Sequence, residues 1–514
     1  MNIRSGALAA MALCCWSLQG ISGNTAVVAA TAATAPVAAG VAVVSPAPAA
    51  PAASVAELGN GRRVLLERGL QIQALGFVDS VAAPVDYRLW KSAHFTAFNS
   101  WNDTDPLRKL GWAVPWGRWM RVDLSNPLTE DEKRNAASLV CLQFDDELNQ
   151  DKKPATTGTL NAVKLEKIAA AFAGWRESIG SDFIAYTNFG ANNAYGKKRM
   201  TPAGLAAYMR ATQPDMLMFD AYPTNYPKTV PFEVWYGEMQ KYRLAGLAGI
   251  DGSGRQPLPY AQYTDLYRTS YEQALPPESY VRLQEFAGWA FGYTFLTAFV
   301  YNKPKDPLVY PALFAGAGDS RPTEVFGYVA EANRQSLNLG PALVRLTSSD
   351  VRMIPGTNAG TIQGTTLTES LNGSLPEGIA AWGRGAGGNE YIVSITPVAS
   401  QGGGASATYN DIIIGYFEPL LSDNDDYPFA GGTHFMIVNG SHTGTAAAGA
   451  QWYRIVFDFG ASGFDSLQRL SRETGEVETV PLTHISGTQY SLDLHLEGGT
   501  GDLFRFWSLR AGKR

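Results

Sequence analysis

Cysteine and histidine are the scarcest reactive residues of this chain, with 3 Cys and 5 His in 514 residues. Cys14 and Cys15 fall inside an N-terminal apolar run, so removal of that segment leaves Cys141 alone and no intrachain disulfide. A large domain exported without disulfides is one that does not need staples. A Lys/Arg-rich run is also missing, and the net charge of −6 is dispersed over both signs, which argues against nucleic acid or an anionic membrane as partner. No apolar stretch is long enough for a committed membrane span. The longest, residues 6–18, follows Arg4 and precedes small residues, the layout of a secretory signal. Residues 1–23 are therefore expected to be a cleaved signal peptide, and the protein to be secreted or periplasmic. A lipoprotein would want a small residue before the cysteine, and Leu13 precedes Cys14. Residues 24–60 are dominated by Ala, Val, Thr and Pro, with too little bulky side chain for a core, and are expected to be a disordered tether.

What is present begins near residue 68, where strand-like and helix-like stretches alternate. Candidate strands cover residues 69–77, 94–101, 111–119, 139–144, 182–189, 215–223, 257–263 and 295–302. Short helical stretches at 105–110 and 128–138 fall between the second, third and fourth strands. Helical patterns at 159–179, 201 onward, 232–247 and 279–293 separate the later strands. Thr129-Glu130-Asp131-Glu132 reads as a helix start, as does Thr201-Pro202. Eight repeats of strand and helix are the count of a (β/α)8 TIM barrel, an α/β fold, here over residues 61–340. A doubly wound sheet would bring a Gly-rich phosphate loop after its first strand, and none is found. A helix at 324–343 completes the alternation. Short strands without helical period follow, at 390–396, 411–417, 434–439, 452–459, 467–480, 489–496 and 501–507. Residues 341–514 are thus expected to form a smaller all-β sandwich domain.

A barrel's chemistry sits at the C-terminal ends of its strands. There the chain offers Asp79; Asn99, Trp101 and Asn102; Trp116 and Arg118; Asp145, Asp146 and Glu147; Tyr186 and Asn188; Asp220 and Tyr222; Gln262 and Tyr263; and Tyr301 and Asn302. His94 is the barrel's one histidine and opens its second strand, away from that end, so a His-built zinc site or a Ser-His-Asp relay has no ligands to draw on. Cys141 lies mid-strand without a base nearby. No cofactor or metal is implied. Carboxylates remain, and paired carboxylates hydrolyse glycosidic bonds, one protonating the leaving oxygen and the other attacking or activating water. With 12 Trp and 23 Tyr the chain has aromatics to stack on sugar rings, although core packing uses them equally well. The sugar-stacking candidates are Trp101, Trp116, Tyr222 and Tyr301. Asn99, Asn188, Gln262 and Tyr263 are the candidate hydroxyl-binding groups.

The fourth strand ending in Asp146-Glu147, the sixth in Asp220-Ala221-Tyr222-Pro223, an amide on the seventh and the Phe/Tyr motif of the eighth resemble bacterial barrel glycoside hydrolases related to clan A. The stretch 497–504 resembles the closing strand of their accessory domain. In clan A the fourth strand ends in Asn-Glu, so the resemblance implies Glu147 as acid/base. It also implies a nucleophilic Glu on strand seven, where this chain has Gln262. Asp220, Asp265 or Glu285 could supply the second carboxylate, and Asp220, held by the apolar run 216–219, is favoured. Some α-glycosidase barrels instead use an Asp on strand four as nucleophile and one on strand six as acid, which Asp145 or Asp146 with Asp220 would match. The expected partner is a carbohydrate, with oligomeric state open. A barrel that has lost catalysis and only binds carbohydrate is the alternative, and a structural protein of the cell envelope is a third.

Overall fold

The structure, a computed structural model, describes residues 54–508 except 78–86, 102–111, 113, 148–157, 191–198, 224–229, 305, 317–318, 359–369, 423–426, 428, 430 and 461. The expected signal peptide, most of the tether, the helical piece at 105–110, Asp79 and Asn102 lie outside the described residues. The last residues assigned to the tether are structured: Val55–Glu57 is a 3-10 turn, and a helix begins at Asn60.

Eight parallel strands form the expected barrel. In chain order they are Gln71–Phe77, Ala97–Trp101, Trp116–Met120, Leu139–Phe144, a fifth in two pieces, Leu217–Asp220, Tyr260–Asp265 and Phe295–Phe299. The first strand pairs with both the second and the eighth. The fifth is interrupted at Thr187. Its Ile184–Tyr186 half pairs with strand four and its Asn188–Gly190 half with strand six, so the ring closes through a strand that changes partner. Burial on both faces follows from this closure, and strand four is buried along its whole length. Its outward Phe144 packs on Phe172 of the following helix, Ala162–Ile179, with ring centroids 5.1 Å apart. The inward face is polar, with Cys141 meeting Gln73 of strand one and Gln143 meeting Tyr186 of the neighbouring fifth strand.

The helix starts form as their sequences require. The Thr201 hydroxyl accepts from Gly204 N at 3.0 Å, capping the helix Pro202–Thr212. Thr129 and Glu132 form a reciprocal capping box on the short helix Glu130–Arg134. Helices Phe232–Ala248, Glu278–Ala290 and Glu324–Leu343 complete the later layers. Among the described residues no helix is long and apolar enough to cross a membrane.

The third strand differs from its expected position. It begins at Trp116, which puts Trp116 at the N-terminal end of the barrel and Trp119 at the C-terminal end.

Beyond the barrel the chain is β-rich, with two separate sheets that share a hydrophobic cluster. One orders Ala380–Ala381, Leu346–Ile354, Ile412–Pro419, His434–Asn439, Gly501–Trp507, Ser466–Leu470 and Val477–Val480. The other orders Ile392–Val398, Gln451–Asp458, Gln489–Leu496 and Thr483–Ser486. Ile412, Ile414, Phe435, Ile437 and Phe504 point into the core between the sheets, whereas Ile413, Met436, Val438 and Leu503 join the barrel's hydrophobic cluster. The period of two thus gives the larger sheet two apolar faces. The strand Leu346–Ile354 lies outside the strands expected from the sequence. Its Ser348 and Asp350 flank a bulge in the pairing, which breaks the alternation that marks a strand. The stretch 467–480 forms a hairpin of Ser466–Leu470 and Val477–Val480.

Candidate active site

The C-terminal end of strand four turns sharply. Asp145 and Glu147 both adopt left-handed backbone conformations, at φ 52° and 44°. Such non-glycine residues cost roughly 1–3 kcal/mol each and persist where the surroundings hold them. Asp145 shows how the turn is held: its N–H donates to Met120 O at 2.7 Å, and its carboxylate accepts from Val122 N at 3.3 Å. Burial raises its pKa. It faces a separate cleft with Arg121 and Lys164, so the structure takes it out of the catalytic candidates. It shapes the turn.

The same turn sends Asp146 and Glu147 toward the barrel mouth. Asp146 Oδ1 accepts from Asn188 Nδ2 at 2.8 Å and from Gln143 Nε2 at 3.1 Å. Asp146 stays open to solvent at the mouth, yet its packed surroundings first, and the neighbouring Glu147 second, push its pKa up to about 7. Asp220, at the end of strand six, is 9% exposed. Its carboxyl lies within hydrogen-bonding reach of Glu147, and its pKa stands well above the carboxylate range, through burial and then the charges of Glu147 and Asp146. Two ionised carboxylates offer each other only acceptors, so their contact is favourable when they share a proton. Asp220 Oδ1 is buried and has no hydrogen-bond partner among the described residues. Three carboxyl groups from two strands therefore converge.

Their floor is a polar network. Gln143 Oε1 accepts from the hydroxyls of Tyr263, at 2.5 Å, and Tyr186, at 3.2 Å, which turns its amide nitrogen toward Asp146. Asn99 lies one layer deeper, fully buried, 3.5 Å from the Tyr186 hydroxyl. Its place is beneath the carboxylates, supporting the floor. Aromatic rings form the walls. Tyr222 lies parallel to Phe299 at 6.0 Å and edge-on to Tyr267 at 5.6 Å. Burial and then the Asp220 charge raise the Tyr222 pKa, and Tyr267 also feels Asp220 and Glu147. Trp101 stacks on Trp119 at 4.8 Å and 16°.

Three candidate residues lie elsewhere. Trp116 is buried at the opposite end of the barrel, its indole donating to Asn135 O at 3.2 Å. Tyr301 is enclosed by Phe95, Phe98 and Phe314, behind the strands. Gln262 faces outward, accepting from Trp235 Nε1 at 3.1 Å and donating to Gln284 O at 2.9 Å. Of the other carboxylates considered, Asp265 accepts from the Tyr280 hydroxyl at 3.2 Å, and Glu285 accepts from Ser336 at 2.7 Å between two helices. Sequence reasoning missed Gln143, Trp119, Tyr267 and Phe299. Gln143 did carry a signal, being a lone amide in an apolar strand and in phase with inward Cys141.

No protein-family model matches the chain, and no curated protein matches it. Among solved structures, the chain is similar to one described as a glycoside hydrolase, at 11% identity and TM-score 0.43, covering 86% of this chain and 93% of that one. It is similar also to a rhamnosidase from Novosphingobium sp., at 12% identity and TM-score 0.38, covering 67% of this chain and 39% of that one. An endoxylanase from Clostridium papyrosolvens aligns at 8% identity and TM-score 0.31, covering 85% and 96%. At these TM-scores none of them bears on the chemistry of the site.

Proposed function

We propose that this protein hydrolyses O-glycosidic bonds of an oligo- or polysaccharide with Glu147 and Asp220 as its paired carboxylates. The observation that carries the reading is their approach within hydrogen-bonding reach at the C-terminal mouth of the barrel, with Asp220 buried. The buried Asp220, whose pKa burial and the neighbouring carboxylates raise well above the carboxylate range, is the general acid. Glu147, on the strained turn, is the nucleophile.

In the first step a Glu147 oxygen bonds to the anomeric carbon as the glycosidic bond breaks, and the Asp220 proton passes to the leaving oxygen. In the second, Asp220 takes a proton from water, the water oxygen bonds to the anomeric carbon, and the bond to Glu147 breaks. Carboxyls this close favour retention, since inverting enzymes seat a water between carboxyls about 6.5–9.5 Å apart. This division of labour is the strand-four nucleophile and strand-six acid of α-glycosidase barrels, and it makes a strand-seven nucleophile unnecessary. The signal-like residues 1–23 support a secreted or periplasmic location.

Glu147→Gln and Asp220→Asn should each lower turnover about a thousandfold or more with the circular dichroism spectrum unchanged. NMR of the first-formed product should show the substrate's anomeric configuration. Full activity in both variants would sink the assignment, and an inverted product would sink the roles.

A further inference from the structure

The site holds more carboxylate than the reaction uses. Glu147 and Asp220 suffice for acid and nucleophile, and Asp146 stands beside them as a third acid. Its two amide donors, from Asn188 and Gln143, both reach the same oxygen, Oδ1, and both hold Asp146 as an acceptor.

Acceptors are left over. Asn188 is 1% exposed and gives its amide nitrogen to Asp146, and its Oδ1 is buried without a hydrogen-bond partner among the described residues. Asp220 Oδ1 is in the same condition. A buried acceptor left unpaired costs roughly 1–3 kcal/mol, so the site is built for a ligand that brings donors. A sugar hydroxyl brings one hydrogen and two lone pairs, and the lone pairs would face further acceptors. A protonated primary amine brings three donors and no acceptor, with a positive charge beside Asp146 and Glu147. Metal is the other cation to consider. Among the described residues no group of three or more His, Cys, Asp or Glu is arranged to hold one. The walls around the acids are aromatic, Tyr222, Tyr267 and Phe299, and suit the apolar face of a sugar ring.

We propose that the sugar bound at these carboxylates carries a protonated amine, so that the substrate class is an oligosaccharide of amino sugars with free amino groups. This rests on the glycosidase reading above. Asp146 and Asn188 are the residues that select the amine: the first supplies charge, the second an acceptor a hydroxyl-rich ring would leave unmatched. N-acetylation removes the charge and two of the three donors, and so removes the basis of selection.

The test uses the intact chain and two readouts. Hydrolysis is measured on oligosaccharides of glucosamine and galactosamine, α- and β-linked, each in free-amine and N-acetylated form, beside neutral glucan and xylan oligosaccharides. Binding of the monosaccharides glucosamine and galactosamine, against their N-acetylated forms, is measured by calorimetry and needs no catalysis. The expected result is a kcat/KM at least about tenfold higher for one free-amine oligosaccharide than for its N-acetylated twin, with a matching affinity difference. The ratio should shrink as salt screens the charges, and Asp146→Asn should bring it toward one. Cleavage of neutral or N-acetylated sugars without preference for amines overturns this inference and leaves the glycosidase standing. Amine-selective binding without cleavage of any substrate supports the inference and overturns the glycosidase. Neither binding nor cleavage overturns both.

Discussion

At the scale of single residues, burial decides what each carboxylate is for. Glu285 resembles a catalytic acid in one respect, since burial lifts its pKa to about 8. It nevertheless lies between helices, where Trp289 Nε1 donates to Ser336 Oγ at 2.8 Å and Ser336 donates on to Glu285. Its consequence is for stability. Unfolded, the group loses its proton near its ordinary value of 4.5, whereas folded it keeps the proton to about 8. Between those values the folded state binds more protons, so stability is fullest below about pH 4.5 and falls as pH rises through about 8. Glu285→Gln keeps a neutral side chain of the same shape and should flatten that fall. Urea titrations at several pH values should show the variant more stable than the parent above pH 8, by up to a few kcal/mol. Equal pH profiles for the two proteins would refute this. The three converging carboxylates, Asp146, Glu147 and Asp220, were readable as polar residues ending apolar runs. Gln262 was not. Strand seven is buried on both faces, so nothing in its letters says that Tyr263 faces the site and Gln262 the helices.

At the scale of elements, the turns carry more than connection. The capping glutamate of the helix Glu130–Arg134 has a second task. Glu132 Oε2 accepts from Thr129 N at 2.6 Å and from the buried Arg118 of strand three at 2.5 Å. One carboxylate therefore caps the helix and neutralises a guanidinium that is 5% exposed. Removing one partner of a buried pair strands the other, at about 3–5 kcal/mol. Glu132→Ala should cost about that much in urea denaturation, and Glu132→Gln less, since the cap survives. A loss below about 1 kcal/mol in the alanine variant would show that Arg118 is satisfied by the carbonyls of Asn126 and Pro127 alone. The capping box was legible because its chemistry is local. The register of strand three was not, because Trp112, Trp116 and Trp119 are all large and apolar, and only the pairing of Trp116 with Leu139 says where the strand begins.

At the scale of the whole molecule, the helix Glu278–Ala290 joins the barrel to the β-rich part. It is buried nearly all round, with the barrel on one side and the larger sheet on the other. Polar residues on such a helix need partners on both sides, and they have them. Gln284 Oε1 accepts from Asp265 N on strand seven, while Glu278 Oε2 accepts from Ala446 N beyond the barrel. Close approach depends on two glycines of the β-rich part. A Cβ on Gly415 would stand 2.0 Å from Ala290 O, and one on Gly499 would stand 2.0 Å from Ser279 O, so each glycine seats one end of the helix. The helix also backs the wall that carries Tyr263. Gly415→Ala should therefore push the sheet off the helix, lower stability by about 1–3 kcal/mol and reduce turnover through strand seven. Calorimetry should keep a single transition, because one hydrophobic cluster runs through both parts. Gly383→Ala, where a Cβ meets open space, is the control and should change stability by less than about 0.5 kcal/mol. Two separate transitions, with Gly415→Ala shifting only the one that belongs to the sheets, would mean that the barrel stands alone and that its mouth is shaped without them.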